Sequence, residues 1–132
     1  MWFTRKSHPP IRSLIGEGMR LAGELRFTEG LRIDGEVVGD VLASGEAPSI
    51  VVIGEKARVH GKVKASHVII NGEVRGPVTS DQLLELQPKA RVTGDLRYVV
   101  LEMHPGAVVE GDLRPLRAAD KPTLKLAASN EV

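Results

Sequence analysis

Between residues 23 and 113 the chain alternates apolar and polar positions, and glycine punctuates the alternation. The tripeptide Gly, then a polar or turn residue, then Val or Leu occurs eight times, among them Gly39-Asp40-Val41, Gly61-Lys62-Val63, Gly76-Pro77-Val78, Gly94-Asp95-Leu96 and Gly111-Asp112-Leu113. Even steps back from Gly35 meet Leu25, Phe27, Leu31 and Ile33, and from Gly61 they meet Val51, Ile53, Ala57 and Val59. From Gly94 they meet Leu84, Leu86, Ala90 and Val92, and from Gly111 they meet Leu101, Met103, Ala107 and Val109. Every one of these is apolar. Val37, Val63, Leu96 and Leu113 continue the series beyond each glycine, and the positions between are largely Glu, Lys, Arg, Asp, Thr and His. Side chains alternate between faces along a strand, so this pattern predicts short strands with one buried and one wet face.

The repeats also predict how the strands are joined. Val68-Ile69-Ile70-Asn71-Gly72-Glu73-Val74 echoes Leu31-Arg32-Ile33-Asp34-Gly35-Glu36-Val37, and Gly111 follows Gly94 by seventeen residues. One winding is therefore expected to take 17 to 18 residues, returning to stack on its predecessor as a parallel β-helix with glycines at the corners. Composition agrees with a narrow column of stacked Val, Ile, Leu and Ala, since only four residues are aromatic and all 14 glycines lie between Gly16 and Gly111. The 132 residues divide into a tail over 1–13, an all-β solenoid of five to six windings over 14–116, and a tail over 117–132.

Charge and chemistry narrow the functional classes. Residues 1–12 carry three basic and no acidic side chains, whereas residues 13–116 carry 12 basic and 15 acidic ones. An acidic column is a poor nucleic-acid groove. The chain has no cysteine, hence no thiol nucleophile and no disulfide framework. No apolar run reaches membrane-spanning length, and Met1-Trp2-Phe3 is too short for the apolar region of a signal peptide. Gly16-Glu17-Gly18 is followed by no Gly-Lys-Ser/Thr and reads as a turn instead of a phosphate loop.

Ile33-Asp34-Gly35-Glu36-Val37, Ile53-Gly54-Glu55-Lys56-Ala57-Arg58-Val59-His60-Gly61-Lys62-Val63, Ala90-Arg91-Val92-Thr93-Gly94-Asp95-Leu96 and Gly106-Ala107-Val108-Val109-Glu110-Gly111-Asp112-Leu113 form an ordered set. Flanked by short non-repetitive tails, it resembles a bactofilin over roughly residues 14–116. The resemblance implies a right-handed triangular β-helix. It also implies end-to-end polymerisation without nucleotide into bacterial cytoskeletal filaments, which lie on the inner face of the cytoplasmic membrane and position cell-envelope factors. A head-to-head and tail-to-tail arrangement, without polarity, is part of that implication, as is the lack of any catalytic residue or cofactor.

The ends of such a column hold the functional argument, because terminal windings leave backbone groups unpaired and the core uncovered. Leu14, Ile15, Leu21, Leu25 and Phe27 at one end, and Val109, Leu113 and Leu116 at the other, are the candidate polymer interface; a small cap made by the tails is the alternative. Met1, Trp2, Phe3, Arg5 and Lys6 form an apolar-then-basic segment suited to anionic lipid, with Pro9-Pro10 as spacer. Bactofilins carry segments of this type for membrane binding. Two other classes stay open at this point: a monomeric β-helical adaptor, and a left-handed β-helix enzyme of acyltransferase or gamma-class carbonic anhydrase type. The enzyme would use histidines between windings. His8 lies in the tail, and His60 falls at an outward position expected to match Asp34, Thr93 and Glu110.

Overall fold

A chain that alternates faces and turns every few residues can satisfy its backbone only by pairing each strand with the next winding. The computed structural model describes residues 9–116, and in it this is what happens. Winding one comprises β1 (Ile11–Ile15), β2 (Arg20–Ala22) and β3 (Leu25–Phe27); winding two comprises β4 (Gly30–Ile33), β5 (Glu36–Val38) and β6 (Val41–Ala43). Winding three begins with β7 (Ile50–Ile53) and β8 (Arg58–His60). The long β9 (Val63–Ile70) turns a corner, closing winding three and opening winding four. After β10 (Glu73–Arg75), β11 (Val78–Leu86) does the same, and β12 (Arg91–Thr93) and β13 (Leu96–Tyr98) complete winding five. Winding six is β14 (Val100–Met103), β15 (Val108–Glu110) and β16 (Leu113–Pro115).

Every pairing is parallel and joins equivalent sides of successive windings, which gives a three-sided β-solenoid with no helix among the described residues. The second sides form a sheet of their own, and the first and third sides merge into one sheet because β9 and β11 run through the corner between them. Inside, residues from successive windings stack in rows. Leu31, Val51, Val68, Leu84 and Leu101 form one row and Val41, Val63, Val78, Leu96 and Leu113 another. Leu31, Ile33, Val37, Val41, Ile53, Val59, Ile70, Leu84, Leu86 and Leu96 are at most 2% exposed. Full burial of such a side chain contributes about 1.5–3 kcal/mol, so the alternation is the main source of stability.

Three expectations need correction. The winding is not uniform: Val41 pairs with Val63, twenty-two residues on, and Val63 with Val78, only fifteen on. The corner between first and second sides comes in two sizes. Gly16–Met19, Gly54–Ala57, Gln87–Ala90 and His104–Ala107 are turns closed by a hydrogen bond from the last N–H to the first carbonyl at 3.0, 3.0, 2.9 and 3.2 Å. Asp34-Gly35 and Asn71-Gly72 turn the same corner with two residues fewer.

The glycine register shifts as a result. Gly61, Gly94 and Gly111 stack with Gly23, Gly39 and Gly76 at the corner between second and third sides, whereas Gly35 sits at the preceding corner against the carbonyls of Gly16 and Met19. Gly35 and Gly39 are an even number of residues apart, so alternation of faces cannot distinguish them. The chain also enters the solenoid earlier than the division at residue 14, since Ile11, Arg12 and Ser13 belong to β1. Residues 1–8 and 117–132, and with them Met1, Trp2, Phe3, Arg5, Lys6 and His8, lie outside the described residues.

Candidate assembly interface

In a ladder of parallel strands each interior strand is bonded on both sides, and only the terminal windings keep a free edge. Among the described residues β1, β2 and β3 form one such end and β14, β15 and β16 the other, each paired on one side only. Unpaired N–H and C=O groups at a sheet edge are a template for another strand.

The same rows that are dry in the interior become wet at the ends. Leu86 is 0% exposed while its register partner Met103 is 46% exposed, and Leu96 is 0% exposed while its partner Leu113 is 45% exposed. Leu101, Ala107 and Val109 are half-buried continuations of Leu84, Ala90 and Val92. The C-terminal end is thus an open core of five rows. The opposite end is more closed, with Ile15 and Phe27 buried and Leu21 and Leu25 half-buried. Met19, at the inward corner position held elsewhere by Ala57, Ala90 and Ala107, is 51% exposed there.

Most of the residues expected at the polymer interface lie in these terminal windings. Leu14 differs: it pairs with Arg32 at an outward position and projects from the side of winding one. Leu116 follows β16, tied by its N–H to the Tyr98 carbonyl at 2.7 Å, and is exposed. Met103 was absent from the expected set. The signal that finds it is its row: an inward position in a last or first winding has no neighbour on one side.

Among the described residues, His60 and His104 are placed on the outside of the column. His60 pairs in register with Val38, Arg75 and, through β10, with the row of Thr93 and Glu110. Asp34 is not its counterpart, because the two-residue corner displaces Asp34 to the end of the first side. His60 Nε2 lies 3.3 Å from a Glu73 oxygen, and His104 Nε2 lies 3.0 Å from a Glu85 oxygen. Glu85, Glu102 and His104 bring one possible ligand atom each within 4.8 Å of one another on the outer surface of windings five and six. The charged depressions in the described surface, one lined by Glu17, Arg32, Asp34, Glu55 and Lys56, are open troughs between side chains. Arg32 is held there by Asp34 through Nε and Nη2 at 2.9 and 3.0 Å, a bond that raises its pKa above the ordinary guanidinium value.

A family model described as Bactofilin, polymer-forming cytoskeletal, matches residues 13–114. A cryo-EM reconstruction of Thermus thermophilus bactofilin double helical filaments is similar at 32% identity, covering 77% of this chain and 99% of that one, with a TM-score of 0.68. A crystal structure of a point mutant of Thermus thermophilus bactofilin is similar at 34% identity, covering 70% and 98% of the two chains, with a TM-score of 0.63. No curated protein sequence matches.

Proposed function

The chain belongs to the bactofilin family of polymer-forming cytoskeletal proteins, and from that premise we propose that its columns stack end to end, without nucleotide, into non-polar filaments. The observation that carries this reading is the contrast between Leu96 and Leu113, or Leu86 and Met103: identical row positions, dry in one winding and about half exposed in the next. A second column laid on the C-terminal winding would bond the free edges of β14, β15 and β16 and cover Met103, Val109 and Leu113. Each apolar side chain buried in that way contributes about 1.5–3 kcal/mol before the cost of association. The end carrying Leu21, Leu25 and Met19 would serve the second contact. Thermus thermophilus bactofilin, the relative with the broadest coverage given above, forms double helical filaments.

Met1, Trp2, Phe3, Arg5 and Lys6 would hold the filament on anionic lipid at the inner face of the cytoplasmic membrane, where it would position cell-envelope factors. The tail joins the column at Pro9-Pro10, immediately before the edge strand β1, so every subunit contributes one copy. Electron microscopy of the purified full-length protein in buffer free of nucleotide tests the assembly. Unbranched filaments are expected, and particles of a single chain's mass at all salt concentrations would favour a capped adaptor instead.

A further inference from the structure

The outward rows on the three sides differ in a way that the end-to-end contact does not use. On the first side the row is Leu14, Arg32, Val52, Ile69, Glu85 and Glu102, one residue from each winding. Its middle is apolar, its upper half carries a cation and its lower half two carboxylates. On the second side the row is Arg20, Glu36, Arg58, Glu73, Arg91 and Val108, whose signs alternate and pair within the column, as Arg20 with Glu36 at 3.4 Å. On the third side Arg26, Lys64, Arg97 and Arg114 give one sign only, interrupted by Leu42 and Thr79. Inverted on itself, the second side also sets Glu36 against Arg91 and Arg58 against Glu73, but only the first side joins an opposite-charge pair, Arg32 and Glu85, to an apolar middle.

We propose that this side binds the same side of a second copy, antiparallel, about a twofold axis that runs along the strands between Val52 and Ile69. That operation carries winding two onto five and three onto four. Val52 then meets Ile69 of the second copy, and Arg32 meets Glu85, with Glu102 beside it. The parallel alternative, with the twofold along the column, sets Arg32 on Arg32 and Glu85 on Glu85, and like charges reject it. Arg32 can serve both partners, since Asp34 occupies Nε and Nη2 and the guanidinium has five N–H donors. Its side chain is 47% exposed and therefore accessible. Leu83 and Val100, adjoining outward positions that pair with each other, widen the apolar surface.

One such contact is small, and its strength in use rests on the end-to-end reading, because a filament repeats it at every subunit. A non-polar filament also always presents subunits of the required orientation.

The chain has no cysteine, so disulfide trapping reports the contact without background. Full-length Val52→Cys and Ile69→Cys chains are mixed and oxidised, and the cross-linked heterodimer is measured on a denaturing gel. Both positions lie at least two windings from either end, out of reach of an end-to-end contact. A heterodimer yield at least tenfold above either chain alone is expected, falling at least tenfold with Arg32→Glu in both chains and recovering when Glu85→Arg is added. Absence of the heterodimer, or a yield indifferent to the charge exchange, overturns the lateral contact even where microscopy shows filaments. Cross-linking without filaments would leave it standing and refute the end-to-end reading.

Discussion

Gly61 rests on the backbone of Gly39 so closely that a Cβ at Gly61 would overlap the Gly39 carbonyl oxygen. The relation repeats from Gly23 through Gly111, each glycine at positive φ, and it lets the second and third sides meet at the winding-to-winding spacing of paired strands. Gly61→Ala therefore combines backbone strain with a collision that no rotamer relieves. A loss of about 3 kcal/mol or more is expected from urea unfolding. Gly16→Ala, where nothing lies near a Cβ and φ is not positive, should change stability by less than about 1 kcal/mol. Equal losses at the two sites would show that the close approach is not what the glycine provides.

How much of this was legible in the sequence follows from what a period of two can carry. It identifies the inward residues, so Val51, Ile53, Leu84 and Val92 fall inside as expected. It cannot count windings, because inserting or deleting an even number of residues keeps every face in place; that is why Gly35 stood in for Gly39. The 44–49 insertion that lengthens one winding is likewise silent. The buried hydroxyls escaped altogether. Ser66 Oγ accepts the Ser49 N–H at 3.1 Å, Ser49 Oγ accepts the Ser66 N–H at 3.0 Å, and Ser80 Oγ donates to the Ser66 carbonyl at 2.7 Å. Serine in a polar-rich corner carries no sign of being dry, since its partner is chosen by the fold. The ends were legible as ends, but not their inequality, which depends on which side chain happens to cover the last row.

Leu113→Arg tests the C-terminal surface. Leu113 is already 45% exposed, so an arginine there leaves the column folded, as a circular dichroism melt within a few degrees of the parent should show. In a stacked pair the charge would be buried without a partner, at a cost of about 3–5 kcal/mol. The polymer fraction in a pelleting assay is expected to fall at least tenfold. The same replacement at Leu96, which is 0% exposed, should unfold the chain. A folded Leu113→Arg protein that still pellets as filaments would move the interface elsewhere.

Tyr98 is the chain's single tyrosine and packs half-buried against the core, in register with Pro115. Burial raises its pKa above the ordinary value of 10.0, because the phenolate is the form that loses hydration. The native state then holds the phenolic proton more tightly than the unfolded chain. Stability is unaffected by this group below about pH 10 and falls as pH rises through the folded-state value. Absorbance titration near 295 nm should show one late transition in the folded protein and an earlier one in denaturant. Coincident transitions would mean that the ring is solvated.

The membrane segment sets the last test, because its expected strength ties it to assembly. Arg5 and Lys6 near an anionic surface contribute about 1 kcal/mol each, and Trp2 and Phe3 add at most about 1.5–3 kcal/mol apiece before the tail is ordered. A single tail is then a marginal anchor, whereas a filament brings many tails to one surface and loses all of them only together. Assembly and attachment should therefore promote one another, as linkage requires. In co-sedimentation with anionic vesicles the intact chain is expected to bind most, and the chains with Trp2 and Phe3 changed to serine, or Arg5 and Lys6 changed to serine, at least tenfold less. Leu113→Arg, with its tail intact, should also bind markedly less, because it delivers one tail at a time. Equal binding by all four proteins would remove the tail from the mechanism. Strong binding by Leu113→Arg alone among the variants would keep the tail and discard avidity, since the isolated anchor would then be sufficient.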